Sequence, residues 1–245
     1  MRLIFVRHGE PDYEHDCLTA NGRKQAQATA QRLKGEGITA IYASPMGRAV
    51  ETASYTAAEY GLDIQKLDFM HEINWGDKTD SEPEQTDGAD DGKEAEKLPF
   101  GGHPWSLGYR LLSQNPEYVG STEWDRHHYF RDNKCLEYYR MISVEFDKFL
   151  SSLGFEREQG LYMCRETDKD TVALFAHGGS GAIMFSHVLN LPFPFVLSSM
   201  PYGVCSVSVI EFALHPGELV VPRLELFNDM GHIESFRAEK LTFEK

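Results

Sequence analysis

The stretch RLIFVRHGE, residues 2–10, decides the fold. Its segment from Leu3 to Val6 is apolar and rich in branched and aromatic residues, which is the composition of a buried strand. The apolar run ends at the adjacent basic residues Arg7 and His8, and Gly9 then allows the chain to turn and to approach a neighbouring backbone closely. The stretch therefore predicts a buried strand that places two basic side chains at its carboxyl end.

Helical and strand patterns alternate downstream of this stretch. Thr19 is a suitable N-cap for the first helix, and Gly35 or Gly37 is a suitable terminator. Ser44 and Pro45 are suited to begin the second helix, because proline is tolerated in the first turn. The predicted order is strand 2–6, helix 18–37, strand 38–45, helix 46–61 and short strand 62–70.

The second half of the chain continues the mixed pattern. Helices are predicted around residues 105–119 and 133–155, and residues 171–191 have the pattern of a strand, a glycine-rich turn and a helix. Residues 205–214 and 220–228 have the pattern of two late strands that could form a hairpin. The predicted fold class is therefore α/β, with a mostly parallel central sheet flanked by helices on both faces.

Residues 77–97 interrupt this regularity, because they are acidic, rich in turn residues and almost without apolar side chains. Such a composition is typical of a solvated surface segment, although long loops in compact domains can also serve as lids near a functional site. The sequence contains no internal repeat and no interdomain linker. We therefore expect one domain over residues 1–245, with an insertion or lid region over residues 78–140.

Composition limits the partners that the chain can have. The 245 residues carry a net charge of −14, which argues against nucleic acid or an anionic membrane as a partner. No stretch approaches the roughly 20 apolar residues of a membrane span, and the N-terminal apolar run is too short for a signal peptide. Free thiols are indicated by the scattered cysteines Cys17, Cys135, Cys164 and Cys205. We expect a cytoplasmic protein that needs no cofactor and no metal.

Basic residues follow two of the predicted strands. Arg7 and His8 follow the first strand, and His177 follows a later strand, directly before Gly178 at the start of a helix. In open parallel sheets, ligands bind at the carboxyl ends of the strands, so the two histidines can converge although they are far apart in sequence. The free N–H groups at a helix start also favour an anion.

Arg48 lies one turn into the second predicted helix, again close to the carboxyl end of a strand. Guanidinium groups can bind phosphate oxygens in bidentate fashion, whereas a lysine acts as a point charge. Arg48, Arg7, His8, His177 and the helix start at Gly178 together predict a compact cationic pocket within an acidic protein. Such a pocket suits a dianionic phosphoryl group.

Five motifs occur in the order seen in the histidine phosphatase superfamily. They are RHGE at 7–10, LTANGRKQA at 18–26, YASPMGRAVETA at 42–53, HEINWGD at 71–77 and FAHGG at 175–179. Each motif alone is a weak signal, but five in order resemble that family strongly, over about residues 1–77 and 170–212. The family includes phosphoglycerate mutases and many phosphatases. The resemblance implies an α/β sheet fold and a covalent phosphohistidine intermediate.

Position by position, the resemblance implies that His8 is the nucleophile, that Arg7, Arg48 and His177 bind the phosphoryl group, and that Glu72 is the acid–base residue. A neutral imidazole is already nucleophilic near neutral pH, and phosphoryl transfer mainly needs positioning and charge neutralisation. Glu72 could protonate the leaving alkoxide and then deprotonate the attacking water. Other carboxylates compete for this role: Glu10, Asp12, Glu14, Asp77 and the acidic insertion.

Within the family, the sequence favours a phosphatase over a mutase. The mutase pattern has a hydroxyl residue after RHGE, followed by a tryptophan and an asparagine, whereas Pro11, Tyr13 and Glu14 stand here. A mutase also needs additional cations to hold the carboxylate of its substrate. We therefore predict a metal-independent phosphomonoesterase, and the alternative is a cofactor-dependent phosphotransferase of the phosphoglycerate mutase type.

A serine hydrolase and a non-catalytic phosphate-binding module are the two alternative classes of function. The motif LFAHGGSGA at 174–182 resembles the nucleophile elbow of a serine hydrolase, with Ser180 as nucleophile and Asp229 and His232 as partners. The motif departs from the elbow pattern at Ala182, and it leaves the basic residues unexplained. A non-catalytic phosphate-binding module is the second rival, and the presence of all four pocket residues argues against it.

The expected partner is a phosphorylated small molecule, and the oligomeric state is left open. Cations in the variable region could bind a second anionic group of the substrate: Lys78, Arg110, Arg126, Arg131, Lys134 and Arg140. The abundant acidic residues nonetheless predict weak affinity for highly phosphorylated substrates. Trp75, Trp105 and Trp124 are expected to anchor the core or a loop rather than to form a substrate platform.

Overall fold

The computed structural model describes residues 1–78, 97–165 and 170–236. Its strands are β1 (Arg2–Arg7), β2 (Pro11–Asp12), β3 (Cys17–Leu18), β4 (Ala40–Ala43), β5 (Ile64–Lys66), β6 (Phe155–Glu158), β7 (Leu161–Cys164), β8 (Thr171–Ala176), β9 (Val207–Glu211), β10 (Leu219–Val220) and β11 (Arg223–Asp229). Its α-helices are α1 (Ala20–Leu33), α2 (Gly47–Tyr60), α3 (Pro104–Gln114), α4 (His128–Arg131), α5 (Cys135–Ser152), α6 (Gly178–Val188) and α7 (Phe193–Ser199).

The central sheet has six strands in the order β11–β9–β1–β8–β4–β5. The pairs β1–β8, β8–β4 and β4–β5 are parallel, whereas β9 runs antiparallel to β1 and β11 runs antiparallel to β9. The mostly parallel sheet predicted from the sequence is therefore confirmed, and the two late strands are neighbours as expected. The four parallel strands end at the same edge of the sheet.

Strand β1 shows why helices cover both faces of the sheet. Leu3 and Phe5 belong to the hydrophobic cluster that includes residues of α5 and α6, whereas Ile4 and Val6 belong to the cluster that includes residues of α1 and α2. Successive side chains of a strand point to opposite faces, so an entirely apolar run requires cover on each side. The prediction of helices on both faces is confirmed.

The two N-terminal helices follow the local signals closely. The Thr19 side chain accepts a hydrogen bond from the N–H of Gly22 at 3.0 Å, so Thr19 is the N-cap of α1. The last helical residue is Leu33, two residues before Gly35. Helix α2 begins at Gly47 rather than at Ser44, because the Ser44 hydroxyl accepts the N–H of Met46 and the chain stays extended there.

Other boundaries differ from the prediction or were missed. The strand predicted over residues 62–70 is β5, which is only three residues long, and a 3₁₀ turn over Asp68–Met70 follows it. Strands β6, β7 and β10 form a separate three-stranded antiparallel sheet that the sequence analysis did not predict. The predicted helices at 105–119 and 133–155 correspond to α3 and α5. Most of the acidic stretch, residues 79–96, lies outside the described residues.

Candidate active site

The candidate site lies where three neighbouring parallel strands end. Arg7 is the last residue of β1, and the N–H of His8 donates to the carbonyl of Ala176 at the end of β8. His177 directly follows β8, and Ser44 directly follows β4. The register of the sheet therefore brings Arg7, His8, His177 and Ser44 to one edge.

His8 is only 1% exposed. Its Nδ1 lies 2.8 Å from the carbonyl oxygen of Gly9, which can only accept a hydrogen bond, so Nδ1 is the donor. The lone pair of a neutral His8 is consequently on Nε2. Burial, followed by the nearby charge of Arg7, lowers the pKa of His8 from 6.5 to about 3. His8 is therefore a neutral nitrogen base at physiological pH.

His177 faces His8, with 5.1 Å between the ring centroids. Its Nε2 is hydrogen-bonded to the Ser44 hydroxyl at 2.7 Å, while its buried Nδ1 has no partner among the described residues. Burial, followed by the neighbouring His8, lowers the pKa of His177 to about 2. The ring is therefore neutral, and its unpaired nitrogen is available to a ligand.

Two arginines complete the cluster. Arg7 donates through Nη1 to the carbonyl of Tyr202 at 2.9 Å, and Arg48 forms an ion pair with Asp16 through Nη1. The charges of both arginines contribute to the lowered pKa of His8, which shows that they lie near it. The Nε atoms of Arg7 and Arg48 are buried and unpaired within the described part of the chain. A ligand with several acceptor oxygens would satisfy them.

The carboxylate of Glu72, which follows β5 in the chain, lies at the start of α6. Its Oε1 accepts hydrogen bonds from the N–H of Gly179 at 2.9 Å and from the N–H of Ile73 at 3.0 Å. These two bonds leave Oε2 for other partners. From the sequence, the first N–H groups of this helix are expected to be free to bind an anion. In the structure, the N–H of Gly179 already donates to the Glu72 carboxylate.

Three competing carboxylates are bonded elsewhere. Glu10 accepts from the side chains of Thr19 and Asn21, near the N-terminus of α1. Asp12 is paired with the neighbouring His15, and Asp77 accepts the N–H of Leu98. Glu72, by contrast, lines the cleft beside Arg7 and Gly178.

The structure does not assemble the triad of a serine hydrolase. Ser180 is buried and donates to the carbonyl of Met70. Asp229 is paired with Arg32, and His232 is hydrogen-bonded to the carbonyl of Cys205. Each member of the supposed triad therefore has a different structural partner.

The cleft at this edge has a volume of about 490 Å³. Of the cluster, Arg7, Glu72 and Gly178 line the cleft, whereas His8, Arg48 and His177 are buried and are not among the lining residues. The rest of the lining is mostly aromatic and apolar: Tyr13, Trp75, His103, Trp105, Ser106, Tyr109, Ala182, Val196, Met200, Pro201 and Tyr202. The volume is typical of a small-molecule site and exceeds what a phosphoryl group alone requires. The remaining space suits the alcohol part of an ester.

Several residues of the site were missed by the sequence analysis. Ser44 stands at a strand end, as His8 and His177 do, and this position was the signal that could have identified it. Asp16 holds Arg48 and also accepts the N–H of Gly47, while the Tyr13 ring lies 5.4 Å from the Arg48 guanidinium carbon. No local sequence pattern predicts these contacts, because they join the turn between β2 and β3 to helix α2.

Neither a metal-binding cluster nor a membrane-spanning helix occurs in the described part of the chain. Across residues 1–78, 97–165 and 170–236, no group of three or more His, Cys, Asp or Glu side chains is arranged to hold a metal ion. The helices within these ranges include none that is both long and apolar enough to cross a lipid bilayer. None of the four cysteines forms a disulfide bond within the described part of the chain.

Comparison with known proteins gives a family match over the first part of the chain. Residues 3–101 match the histidine phosphatase superfamily (branch 1). A probable phosphoglycerate mutase of Yersinia enterocolitica is 34% identical over 85 residues, which cover 31% of this chain and 40% of the relative. A 2,3-bisphosphoglycerate-dependent phosphoglycerate mutase of Thermoplasma acidophilum is 34% identical over 83 residues, or 30% of this chain and 42% of the relative. The match thus spans about two fifths of these curated relatives.

Solved structures share the fold over nearly the whole chain. A mycobacterial glucosyl-3-phosphoglycerate phosphatase is 21% identical, with a TM-score of 0.58 over 93% of this chain and 98% of that one. A phosphoserine phosphatase of Entamoeba histolytica, solved with 3-phosphoglyceric acid, is 19% identical, with a TM-score of 0.55 over 95% and 98% of the two chains. The predicted fold is thereby confirmed, and the family match over residues 3–101 bears out the resemblance stated from the sequence motifs.

Proposed function

We propose that this chain, whose residues 3–101 match the histidine phosphatase superfamily, is a metal-independent phosphomonoesterase with a phosphohistidine intermediate on His8. One observation carries the proposal. Three buried nitrogens of the cluster that contains the neutral His8 have no hydrogen-bond partner among the described residues: Arg7 Nε, Arg48 Nε and His177 Nδ1. A buried polar group without a partner costs about 1–3 kcal/mol, so three in one place favour a ligand rich in acceptor oxygens.

In the first step, the lone pair on His8 Nε2 attacks phosphorus, and the bond between phosphorus and the ester oxygen breaks. The Arg7 and Arg48 guanidinium groups and the His177 Nδ1–H neutralise the charge on the phosphoryl oxygens. The leaving alkoxide takes a proton from Glu72, whose Oε2 is left available by the two backbone bonds to Oε1.

In the second step, water attacks the phosphohistidine and gives one proton to the Glu72 carboxylate. The bond between phosphorus and Nε2 breaks, and its electron pair returns to the imidazole. Inorganic phosphate leaves, and Glu72 is protonated again for the next turnover. The hydrogen bond from His8 Nδ1 to the Gly9 carbonyl keeps the same tautomer throughout.

A phosphoglycerate mutase is the second candidate, because the curated relatives carry that name. A mutase has to hold the carboxylate of phosphoglycerate while the phosphoryl group moves. Among the described residues that line the cleft, Arg7 is the only arginine or lysine, and it is already assigned to the phosphoryl group. This charge distribution favours the phosphatase.

The test is phosphate release from a panel of phosphomonoesters in EDTA, with wild type, His8→Ala and the control variant His215→Ala, whose histidine is exposed. We expect wild type and His215→Ala to be active and His8→Ala to lose at least about 10³-fold in kcat. Activity that requires a metal, or that survives His8→Ala, would contradict the proposal. Conversion of 3-phosphoglycerate only in the presence of a bisphosphoglycerate would establish the mutase instead.

A further inference from the structure

Five ring-bearing residues line the cleft: Tyr13, Trp75, His103, Trp105 and Tyr109, here called the aromatic wall. Trp75 contacts both His103 and Trp105 edge to face, with ring centroids 5.5 and 6.0 Å apart. The His103 and Trp105 rings lie 5.2 Å apart at 30°. Trp75 and Trp105 therefore line the cleft, whereas Trp124 is buried in the core.

The wall exposes a large area of aromatic surface. Trp75 is 41% exposed, Tyr109 is 59% exposed and Tyr13 is 70% exposed. Exposed aromatic surface is often covered by a ligand or a partner. Because the aromatic wall lines a cleft of about 490 Å³ together with Arg7 and Glu72, a small molecule is the occupant that the cleft fits.

The wall is rigidly built before any ligand binds. Gly76 follows Trp75, Gly102 precedes His103, and the two glycines are in such close contact that a Cβ on Gly102 would lie 2.6 Å from the Gly76 Cα. Asn133 donates through Nδ2 to the Gly102 carbonyl at 2.7 Å. Preformed surfaces bind flat ligands at little cost in side-chain entropy.

The lining of the cleft offers few charged residues with which to bind a second anionic group. Arg7 and Glu72 are the only Arg, Lys, Asp or Glu residues among the described residues of its lining. Five of the six cations considered for a second anionic group contact other side chains: Lys78 contacts Glu137, Arg110 contacts Gln114, Arg126 contacts Glu123, Arg131 contacts Asp132 and Arg140 contacts Asp125. The sixth, Lys134, does not line the cleft.

We infer that the cleft selects phosphomonoesters whose alcohol carries an aromatic ring and disfavours those with a second anionic group. The phosphoryl group would lie at His8, and the ring would stack on the aromatic wall. As a statement about substrates, this inference rests on the proposed phosphatase activity. As a statement about binding, it depends only on the wall and on the charges of the lining.

The test uses three phosphonates that the enzyme cannot hydrolyse: 2-phenylethylphosphonate, propylphosphonate and 3-phosphonopropanoate. The third replaces the methyl group of the second by a carboxylate. We expect calorimetric titration of the wild type to give about tenfold tighter binding of the phenyl compound than of the propyl compound, and the weakest binding for the carboxylate. Hydrolysis of the matching phosphate esters is measured in parallel, and all three release non-activated aliphatic alcohols.

Variants of the wall provide the second arm. Trp105→Leu and the more exposed Tyr109→Leu should each lose most of the preference for the phenyl compound and keep the affinity for propylphosphonate. Phe100→Leu is the control, since Phe100 is exposed but does not line the cleft. Equal binding of the phenyl and propyl compounds, or tighter binding of the carboxylate, would overturn the inference. Selective binding without phosphate release that depends on His8 would instead overturn the proposed function alone.

Discussion

His8 owes its neutrality to its surroundings. It is almost completely buried at the end of β1, and the charges of Arg7 and Arg48 oppose a further positive charge. His177 is in the same situation beside it. Two neutral histidines next to two arginines form a site that favours an anionic ligand and still contains a nucleophilic nitrogen.

The low pKa values of these histidines predict how stability depends on pH. Because the folded pKa of His8, about 3, lies below the unfolded value of 6.5, the unfolded state binds more protons between these values. Stability is therefore lost as pH falls below about 6.5. From pH 7 to 5.5, each such histidine should cost about 1 kcal/mol.

Urea denaturation at pH 7 and at pH 5.5 tests this prediction. The stability difference between the two pH values should shrink by about 1 kcal/mol in His8→Gln. It should be unchanged in His215→Gln, where the histidine is exposed. An identical pH dependence in wild type and His8→Gln would mean that His8 is not held neutral by the fold.

Glu72 offers a second prediction at the residue scale. In Glu72→Gln the side-chain oxygen can still accept from Gly179 and Ile73, so the fold should persist while the proton donor is lost. We expect kcat for an alkyl phosphate to fall about 10²–10³-fold. With 4-nitrophenyl phosphate, whose leaving group needs no proton, a stoichiometric burst of nitrophenolate should precede slow turnover.

Glu10→Gln is the matched control for this prediction, because Glu10 is a carboxylate bonded to Thr19 and Asn21 rather than a lining residue of the cleft. Its effect on kcat should stay within about threefold of wild type for every ester. The acid–base assignment would be wrong if Glu10→Gln lost activity and Glu72→Gln kept it.

At the scale of elements, the start of α6, which follows strand β8, packs against the segment of chain that follows β5. Gly179 packs against that chain so closely that a Cβ would lie 2.4 Å from Ile73 Cγ1 and 2.6 Å from Glu72 Oε1. The position of the acid–base candidate therefore depends on a residue without a side chain. A glycine-rich turn that could be taken as a nucleophile elbow has this packing role instead.

Gly179→Ala should consequently displace Glu72 and lower both stability and kcat. Overpacking of this kind costs about 1–3 kcal/mol, and we expect a loss of at least about tenfold in kcat. Gly120→Ala is the control, because a Cβ at Gly120 would meet nothing within 4 Å. Urea midpoints and steady-state kinetics measure both effects, and equal behaviour of the two variants would refute the packing argument.

At the scale of the molecule, the two main hydrophobic clusters lie on opposite faces of one sheet, and the site is at the sheet edge between them. The strands β1, β4 and β8 contribute side chains to both clusters, so neither layer has a sheet of its own. One domain over residues 1–245 stays a prediction, and unfolding tests it.

We predict a single cooperative unfolding transition. Trp75 and Trp105 report on the cleft, Trp124 reports on the core, and circular dichroism at 222 nm reports on the helices. In urea the fluorescence and dichroism curves should coincide, as they do for one cooperative unit. Two separated transitions, with fluorescence changing first, would show that the cleft region of residues 97–131 unfolds independently.

Much of this architecture could be predicted from the sequence because its signals are local. The apolar run before Arg7, the cap at Thr19 and the glycines after His177 each indicate an element and its boundary. Short strands such as β6 and β7 were missed, since four residues of mixed polarity carry little periodic signal. Helix α2 begins later than predicted, because the Ser44 hydroxyl bonds the backbone ahead of it.

The sequence by itself determined which side chains stand at the carboxyl ends of the parallel strands, because strand periodicity and glycine positions are properties of neighbouring residues. Only the tertiary structure decided what those side chains meet. The bond of His177 to Ser44, the pairing of Arg48 with Asp16 and the aromatic wall all join segments distant in sequence. Such contacts depend on how strands are ordered in the sheet and how loops pack above it, and no local pattern encodes either.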